Sequence, residues 1–201
     1  MSKRPISNHV RDASVAGTRQ GGASFSLQLR LRRLVFMAAW LLLARWTPPQ
    51  LRRWRAFVLR FFGARIARGV NVYASAKIWY PPFLKMEEGA ALGPRVRCYN
   101  QAPIHIGAHT IISQDATLCA GSHDYNDPHF QLITRPITIG ANVWIAAEAF
   151  VGPGVRVGDG AVLGARAVAM FDLEPGCVYT GNPAQIFKNR SLHAATAEAQ
   201  S

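Results

Sequence analysis

Aliphatic residues recur at every sixth position through 139–168: Ile139, Ile145, Val151, Val157 and Leu163. Each is followed by a small residue: Gly140, Ala146, Gly152, Gly158 and Gly164. Four positions after each aliphatic residue stands another small or β-branched one: Val143, Ala149, Val155, Ala161 and Ala167. A period of six is neither the 3.6 of a helix nor the alternation of a strand. A fixed internal repeat outranks local propensity as a guide to fold. The repeat predicts an all-β chain wound as a parallel β-helix, with a short strand and a corner in each hexamer. The first residue points inward onto its equivalents in neighbouring coils. Gly, Asn and Asp tolerate the backbone angles a corner demands. One coil cannot bury its own apolar face, so stability comes from stacking. By itself the repeat describes a scaffold and says little about chemistry.

Upstream the period is irregular. It enters at Ile66 as IARGVN, VYASAK and IWYPPF, continues as MEEGAA and LGPRVR, and is interrupted by CYNQAPIH at 98–105. IGAHTI, ISQDAT and LCAGSH follow before a break at 124–138. Coils on both sides of that break predict a loop extruded from the column, and such insertions tend to carry binding.

Before the repeat the pattern changes again. Residues 24–62 are rich in Leu, Phe and Trp, interrupted by arginines. They predict two helices broken at Thr47-Pro48-Pro49. The second, over 50–62, is expected to put Leu51, Trp54, Val58 and Phe61 or Phe62 on one face, with Arg52, Arg53, Arg55 and Arg60 largely off it. The uncharged run 34–44 is far short of the roughly 20 residues needed to cross a bilayer, and no small-residue cleavage site follows it. Two compatible readings are open: a membrane-surface element, or a cap over the open edge of the solenoid. Residues 1–22 are polar and basic and are expected to be disordered. The expected division is thus 1–22 tail, 23–63 helical segment, 64–183 β-helix with loop 124–138, and 184–201 C-terminal tail.

Charge adds a direction. The net charge is +12. Residues 1–68 carry 14 Lys and Arg against Asp12 alone, while 69–201 are close to neutral. That asymmetry points to an anionic neighbour, lipid or polyanionic substrate. Nucleic acid is disfavoured because no recognition motif accompanies the charge. Cys98, Cys119 and Cys177 form no CxxC pair. They read as free thiols in a reducing, cytoplasmic setting, with no metal expected.

Chemistry is sought where the period fails. His123 ends the last hexamer before the loop, and histidine is the usual general base near neutral pH. Asp124 is a candidate to orient its ring, although adjacent residues of an extended chain point opposite ways. Glu148 sits in an otherwise apolar hexamer and must face solvent, a cleft or a partner. Asn100, in the earlier irregular segment, is a candidate for a sugar hydroxyl or for a turn. Tyr99 and Tyr125 are candidate sugar contacts, while Trp79 and Tyr80 are placed either to stack on a sugar or to cover the core.

The run IGANVWIAAEAFVGPGVRVGDGAVLGARAV followed by YTGNPAQIFKNR resembles the hexapeptide-repeat acyltransferases, whose fold is a left-handed parallel β-helix. GSHDYNDP, IWYPP and YNQAPIHIG resemble the subgroup linked to colanic acid and other exopolysaccharide biosynthesis. The resemblance implies a homotrimer with its active site between subunits and acetyl-CoA as co-substrate. The acceptor it implies is a sugar or lipid-linked oligosaccharide, and the basic helical N-terminus, not a motif, fits a cytoplasmic enzyme in peripheral contact with an anionic inner membrane. His123 matches the base that deprotonates the acceptor hydroxyl. Trp144, Ala147, Ala165, Met170, Phe171, Gln185 and Lys188 match the coenzyme A side. Relatives often have Thr-Lys at Met170-Phe171 and Arg at Gln185; Lys188 and Arg190 offer other cations. Gly93 stands where some relatives have an acceptor-binding Asn. Two alternatives are a metalloenzyme like the γ-type carbonic anhydrases, using His105, His109 and His123, and a non-catalytic, membrane-associated scaffold.

Overall fold

A computed structural model describes residues 9–191. The apolar hexads wind into a solenoid of short parallel strands in about six coils. The helices α1 (Ala13–Ala16), α2 (Leu27–Leu43) and α3 (Arg52–Phe61) come first. The first coil holds β1 (Arg65–Ile66), β2 (Asn71–Val72) and β3 (Lys77–Ile78), and the second β4 (Leu84–Met86), β5 (Ala91–Leu92) and β6 (Arg97–Tyr99). The third is β7 (Ile104–Ile106), β8 (Ile111–Ile112) and β9 (Thr117–Cys119), and from it a hairpin leaves as β10 (Gly121–His123) and β11 (Leu132–Thr134). The column resumes with β12 (Ile137–Ile139), β13 (Trp144–Ile145) and β14 (Phe150–Val151), then β15 (Arg156–Val157), β16 (Val162–Leu163) and β17 (Val168–Ala169). It closes with β18 (Cys177–Thr180) and an antiparallel return strand, β19 (Gln185–Asn189).

Three sheets face outward. Face one is β1-β4-β7-β12-β15, face two runs from β2 through β5, β8, β13, β16 and β18 to β19, and face three is β3-β6-β9-β14-β17. The register is that of the hexamers: Trp144 lies between Ile111 and Val162, and Ile145 between Ile112 and Leu163. Both inward positions of each hexamer are buried, from Ile139 and Val143 through Leu163 and Ala167. The interior is one aliphatic column, as the period predicts.

Corners differ in one respect from the expectation of Gly, Asn and Asp. Between faces one and two, Gly69, Gly89, Asn142 and Gly160 take positive φ, joined by His109. Between faces two and three the left-handed residues are Arg95, Asp115, Glu148 and Arg166. A side chain in this region costs roughly 1–2 kcal/mol per residue. Here charge partly offsets the strain, because Arg95 clasps Asp115 and Arg166 clasps Glu148 across adjacent coils.

The helical segment caps the column. Ser26 caps α2 by accepting from the Leu29 N–H. Phe36 and Trp40 of α2, and Ala56, Val58 and Leu59 of α3, join the solenoid core. The face of α3 is the expected one only in part: Val58 is buried and Phe62 packs against the core. Arg55 is buried, while Leu51, Trp54 and Phe61 are exposed. Its guanidinium donates to the carbonyls of Val72, Pro48 and Pro49 at 2.6, 2.7 and 3.0 Å, and to Thr47 Oγ1 at 2.9 Å. It thereby satisfies the backbone freed where the Pro pair breaks the helix. Burial pulls this guanidinium below its ordinary pKa.

Residues 9–22 also differ from the disordered tail expected. They form a strap. Val10 bridges Phe25 and both are buried with Leu29, Trp79, Tyr80 and Leu132 in a second small core. Gln131 of the hairpin accepts from the Ala13 N–H at 2.7 Å and donates to the Arg11 carbonyl at 3.2 Å. The remainder of that expected tail, 1–8, and the segment 192–201 lie outside the described residues.

Candidate active site

His123 is the last residue of β10 and pairs with Leu132 across the hairpin. The hairpin rests on the small core through Leu132, so the strap and the first-coil aromatics support it from beneath. Gly121 begins the strand because a Cβ there would collide with Oε1 of the buried Gln101. That oxygen has no hydrogen-bond partner among the described residues.

The ring of His123 is held twice. It stacks on Phe130, centroids 4.3 Å apart and planes within 9°. Its Nδ1 lies 2.9 Å from the Phe130 carbonyl oxygen. A carbonyl can only accept, so Nδ1 carries the proton and, in the neutral ring, Nε2 keeps its lone pair. Phe130 itself has a φ of 57°, the left-handed region where bulky residues are rare. Two successive turns aim it there: Asp124 O accepts from the Asp127 N–H, and Asp127 O from the Phe130 N–H. Phe130 is the site residue that sequence reasoning missed. Its only signal is its place inside HDYNDPHF.

Five expected partners sit elsewhere. Asp124 does not orient His123; its Oδ1 accepts from the Asn126 N–H at 3.1 Å, closing its own turn, and Phe130 holds Nδ1 instead. Glu148 lies on the corner between faces two and three, while the hairpin leaves the corner between faces three and one. Its carboxylate is bound by Arg166 at 2.8 Å. Asn100 is wholly buried and cannot meet a sugar. Its Oδ1 accepts from the N–H groups of Trp79 and Tyr80 at 3.1 and 3.0 Å, and its Nδ2 donates to the Tyr80 carbonyl at 2.7 Å. These bonds tie Asn100 to the backbone of the preceding coil, 20 and 21 residues earlier, so the side chain does not close a turn of its own segment either. Tyr125 stands exposed at the hairpin tip, away from any wall. Tyr99 is exposed on face three, accepts from Gln101 Nε2 at 2.8 Å and meets Trp79 edge-on.

The residues matched to coenzyme A fall into two groups. Trp144, Ala147, Ala165, Gln185 and Lys188 follow one another up face two and its outer corner, where Arg166 N–H bonds the Ala147 carbonyl and Gln185 pairs with Thr180. Trp144 Nε1 donates to Ser113 Oγ at 2.9 Å, which fixes the indole on the surface. Met170 and Phe171 lie exposed on the other corner, the one from which the hairpin departs. Met170 packs over Gly152 in the coil before it, where a Cβ would come 2.6 Å from its sulfur. One chain therefore does not bring the two groups together.

The three histidines weighed for a metal also lie apart. His105 is on face one, 2.8 Å from Glu87 Oε1. His109 is a corner residue lying over Gly89, and His123 is on the hairpin. Among the described residues no group of three or more His, Cys, Asp or Glu is placed to hold a metal ion.

Residues 136–168 match the family described as bacterial transferase hexapeptide (six repeats). Over 145 residues the chain is 46% identical to the protein of Escherichia coli (strain K12) named colanic acid biosynthesis acetyltransferase WcaF, covering 72% of this chain and 80% of that one. The chain belongs to the hexapeptide-repeat acetyltransferases. The galactoside O-acetyltransferase of Escherichia coli (strain K12) is 32% identical over 88 residues, 42% of this chain and 43% of that protein.

Solved structures agree in fold. A maltose O-acetyltransferase from Clostridium difficile 630 superposes with a TM-score of 0.70 at 21% identity, covering 83% of this chain and 90% of that one. A galactoside acetyltransferase in complex with coenzyme A superposes at 0.65 and 19% identity, covering 91% and 96%. These neighbours are left-handed β-helices, and this acetyltransferase has the same fold with an N-terminal helical part.

Proposed function

We propose that the enzyme moves an acetyl group from acetyl-CoA to a sugar hydroxyl during exopolysaccharide assembly, with His123 as general base. The observation that carries this reading is the proton fixed on Nδ1 by the Phe130 carbonyl. It leaves Nε2, on a hairpin at the rim of the solenoid, as the proton acceptor. His123 Nε2 takes the proton of the acceptor hydroxyl as that oxygen bonds to the thioester carbonyl carbon. When the C–S bond breaks, the proton on Nε2 passes to the departing thiolate, and the enzyme ends as it began.

The donor is assigned to the ridge of Trp144, Ala147 and Ala165, with Gln185 and Lys188 above it. Small residues there allow a pantetheine chain close to the backbone. Met170 and Phe171 join this ridge only if a second copy of the chain approaches it. The exposed apolar pair Ile111 and Trp144, neighbours on face two, supports a homotrimer that places the donor between subunits. The relative named for colanic acid biosynthesis supports a polysaccharide acceptor. The basic, apolar surface of α2 and α3 supports contact with an anionic inner membrane. No described helix is long and apolar enough to cross one.

Replacing His123 by Ala is expected to slow turnover by about 10²–10⁴-fold. The shift in Tm produced by coenzyme A should stay as in the parent chain. Turnover that survives the substitution removes His123 from the mechanism.

A further inference from the structure

Helix α2 crosses face three without closing on it. Between them is a cleft of about 780 Å³. Met37, Trp40 and Leu41 form its helical wall, and Trp79 and Tyr99 stand opposite. Four cations line it, Arg33, Arg45, Lys77 and Arg97, and no carboxylate does. Arg33 is partly committed. Its Nε donates to the Trp79 carbonyl at 3.1 Å and its guanidinium lies 4.2 Å over the Trp79 ring.

Lys77 and Arg97 are exposed register partners on β3 and β6. Neighbouring strands are about 4.8 Å apart, so these like charges stand side by side. Neither has an ion pair among the described residues. Asp115 is near enough to Arg97 to feel its charge, but both its oxygens are held by Arg95 at 2.8 and 2.5 Å. Two adjacent unpaired cations favour an anion between them.

A small anion would need no apolar wall. Here the helical wall, which includes the exposed Leu41, is on a helix that also exposes Leu34 and Leu42. Beyond them lie Trp46, Trp54 and Phe57, also exposed. From 13 to 86 the chain contains no Asp or Glu. The opposite end of the cleft includes Cys119, and the chain passes from there through Gly121 to His123.

We propose that this cleft binds an anionic amphiphile, a long hydrocarbon carrying a phosphate or diphosphate, from which the acceptor sugar extends. The phosphate lies on Lys77 and Arg97. The hydrocarbon leaves along Met37 and Leu41 to the apolar strip, which rests on the bilayer. The sugar runs past Cys119 toward His123. The acceptor is therefore taken from a membrane surface and not from solution. That this occupant is the acceptor rests on the acetyltransferase reading above; that the cleft binds it does not.

Binding is measured on the full chain with farnesyl diphosphate as the probe, through quenching of tryptophan emission from Trp40 and Trp79. Its Kd is expected to be at least about tenfold lower than that of inorganic diphosphate or of farnesol, because each lacks half of the contacts. The pair of changes Lys77→Glu and Arg97→Glu should weaken it by about tenfold or more, with the milder Lys77→Gln and Arg97→Gln pair falling between. Both side chains are exposed, and far-ultraviolet circular dichroism checks the fold. Occupancy should slow maleimide labelling of Cys119. The His123→Ala chain should bind the probe as the parent does, which separates this test from turnover. Equal affinity for inorganic diphosphate would reduce the cleft to a simple anion site and overturn the proposal. So would an unaltered Kd in the Glu pair, or a change in the sedimenting mass of that variant, which would mean that a second copy of the chain fills the cleft.

Discussion

Two polar residues show how little residue type alone says about role. Asn100 carries three hydrogen bonds to the backbone of Trp79 and Tyr80, all within protein. Removing its amide leaves buried N–H groups unpaired, each costing about 1–3 kcal/mol. Asn100→Ala should therefore lower the unfolding free energy by roughly 2–4 kcal/mol while the KM for acceptor stays near that of the parent. A large rise in KM without loss of Tm would return Asn100 to the acceptor site. His123 is the converse case. Its ring is fixed by a neighbour that no motif marks, because what matters at Phe130 is a carbonyl aimed by an unusual φ and not the identity of the side chain.

Elements set how far those residues are supported. The hairpin of β10 and β11 has no place in the main column, and its inward residue Leu132 packs with Val10, Phe25, Trp79 and Tyr80 instead. Phe25 meets the Trp79 ring at 4.7 Å. Phe25→Ala should cost this small core about 3 kcal/mol, felt locally. Amide exchange at Leu132 and Ile133 should then quicken about 100-fold, with turnover reduced and the solenoid amides unchanged. Uniform acceleration along the chain would mean that the strap and the column unfold together.

Corner residues are held by small opposing effects. Glu148 strains the backbone at a φ of 60° and recovers part of that cost through Arg166. An exposed pair contributes about 0–1 kcal/mol, and Gly removes the Cβ penalty. Glu148→Gly should thus leave stability within about 1 kcal/mol of the parent and turnover unaltered. If turnover instead fell by about two orders of magnitude, the scale of a lost acid or base, this carboxylate would have to reach a reacting group.

For the molecule as a whole, stability resides in contacts between successive coils. Ile145 is buried between Ile112 and Leu163. Ile145→Ala should cost roughly 2–5 kcal/mol, seen as a lower denaturant midpoint. The cost should spread to the coils on both sides, because a solenoid has no other core to fall back on. A change confined to the hairpin would contradict a continuous column. The capping helices serve the same column from its open end, and the outward half of the same helices carries the apolar and cationic surface proposed to meet lipid.

The sequence by itself determined the period, the number of stacked hexamers in the clean run and the residues that point inward. These follow from a local rule repeated at fixed spacing, in which each inward residue meets a copy of its own environment. It also marked the place where the column breaks and the imidazole at that break. Only the tertiary structure decided what surrounds the imidazole. Phe130 reaches His123 through two turns whose geometry depends on the whole loop. Asp124 points into its own turn, and Asn100 into the backbone of the preceding coil. The face of α3 was likewise decided by tertiary packing. Helical spacing favoured burying Leu51 and Trp54, but three acceptors at the Pro break converge with the Val72 carbonyl of β2, and burying Arg55 satisfies the four together. Such demands come from segments distant along the chain or from unpaired backbone, and a pattern of apolar and polar side chains does not record them.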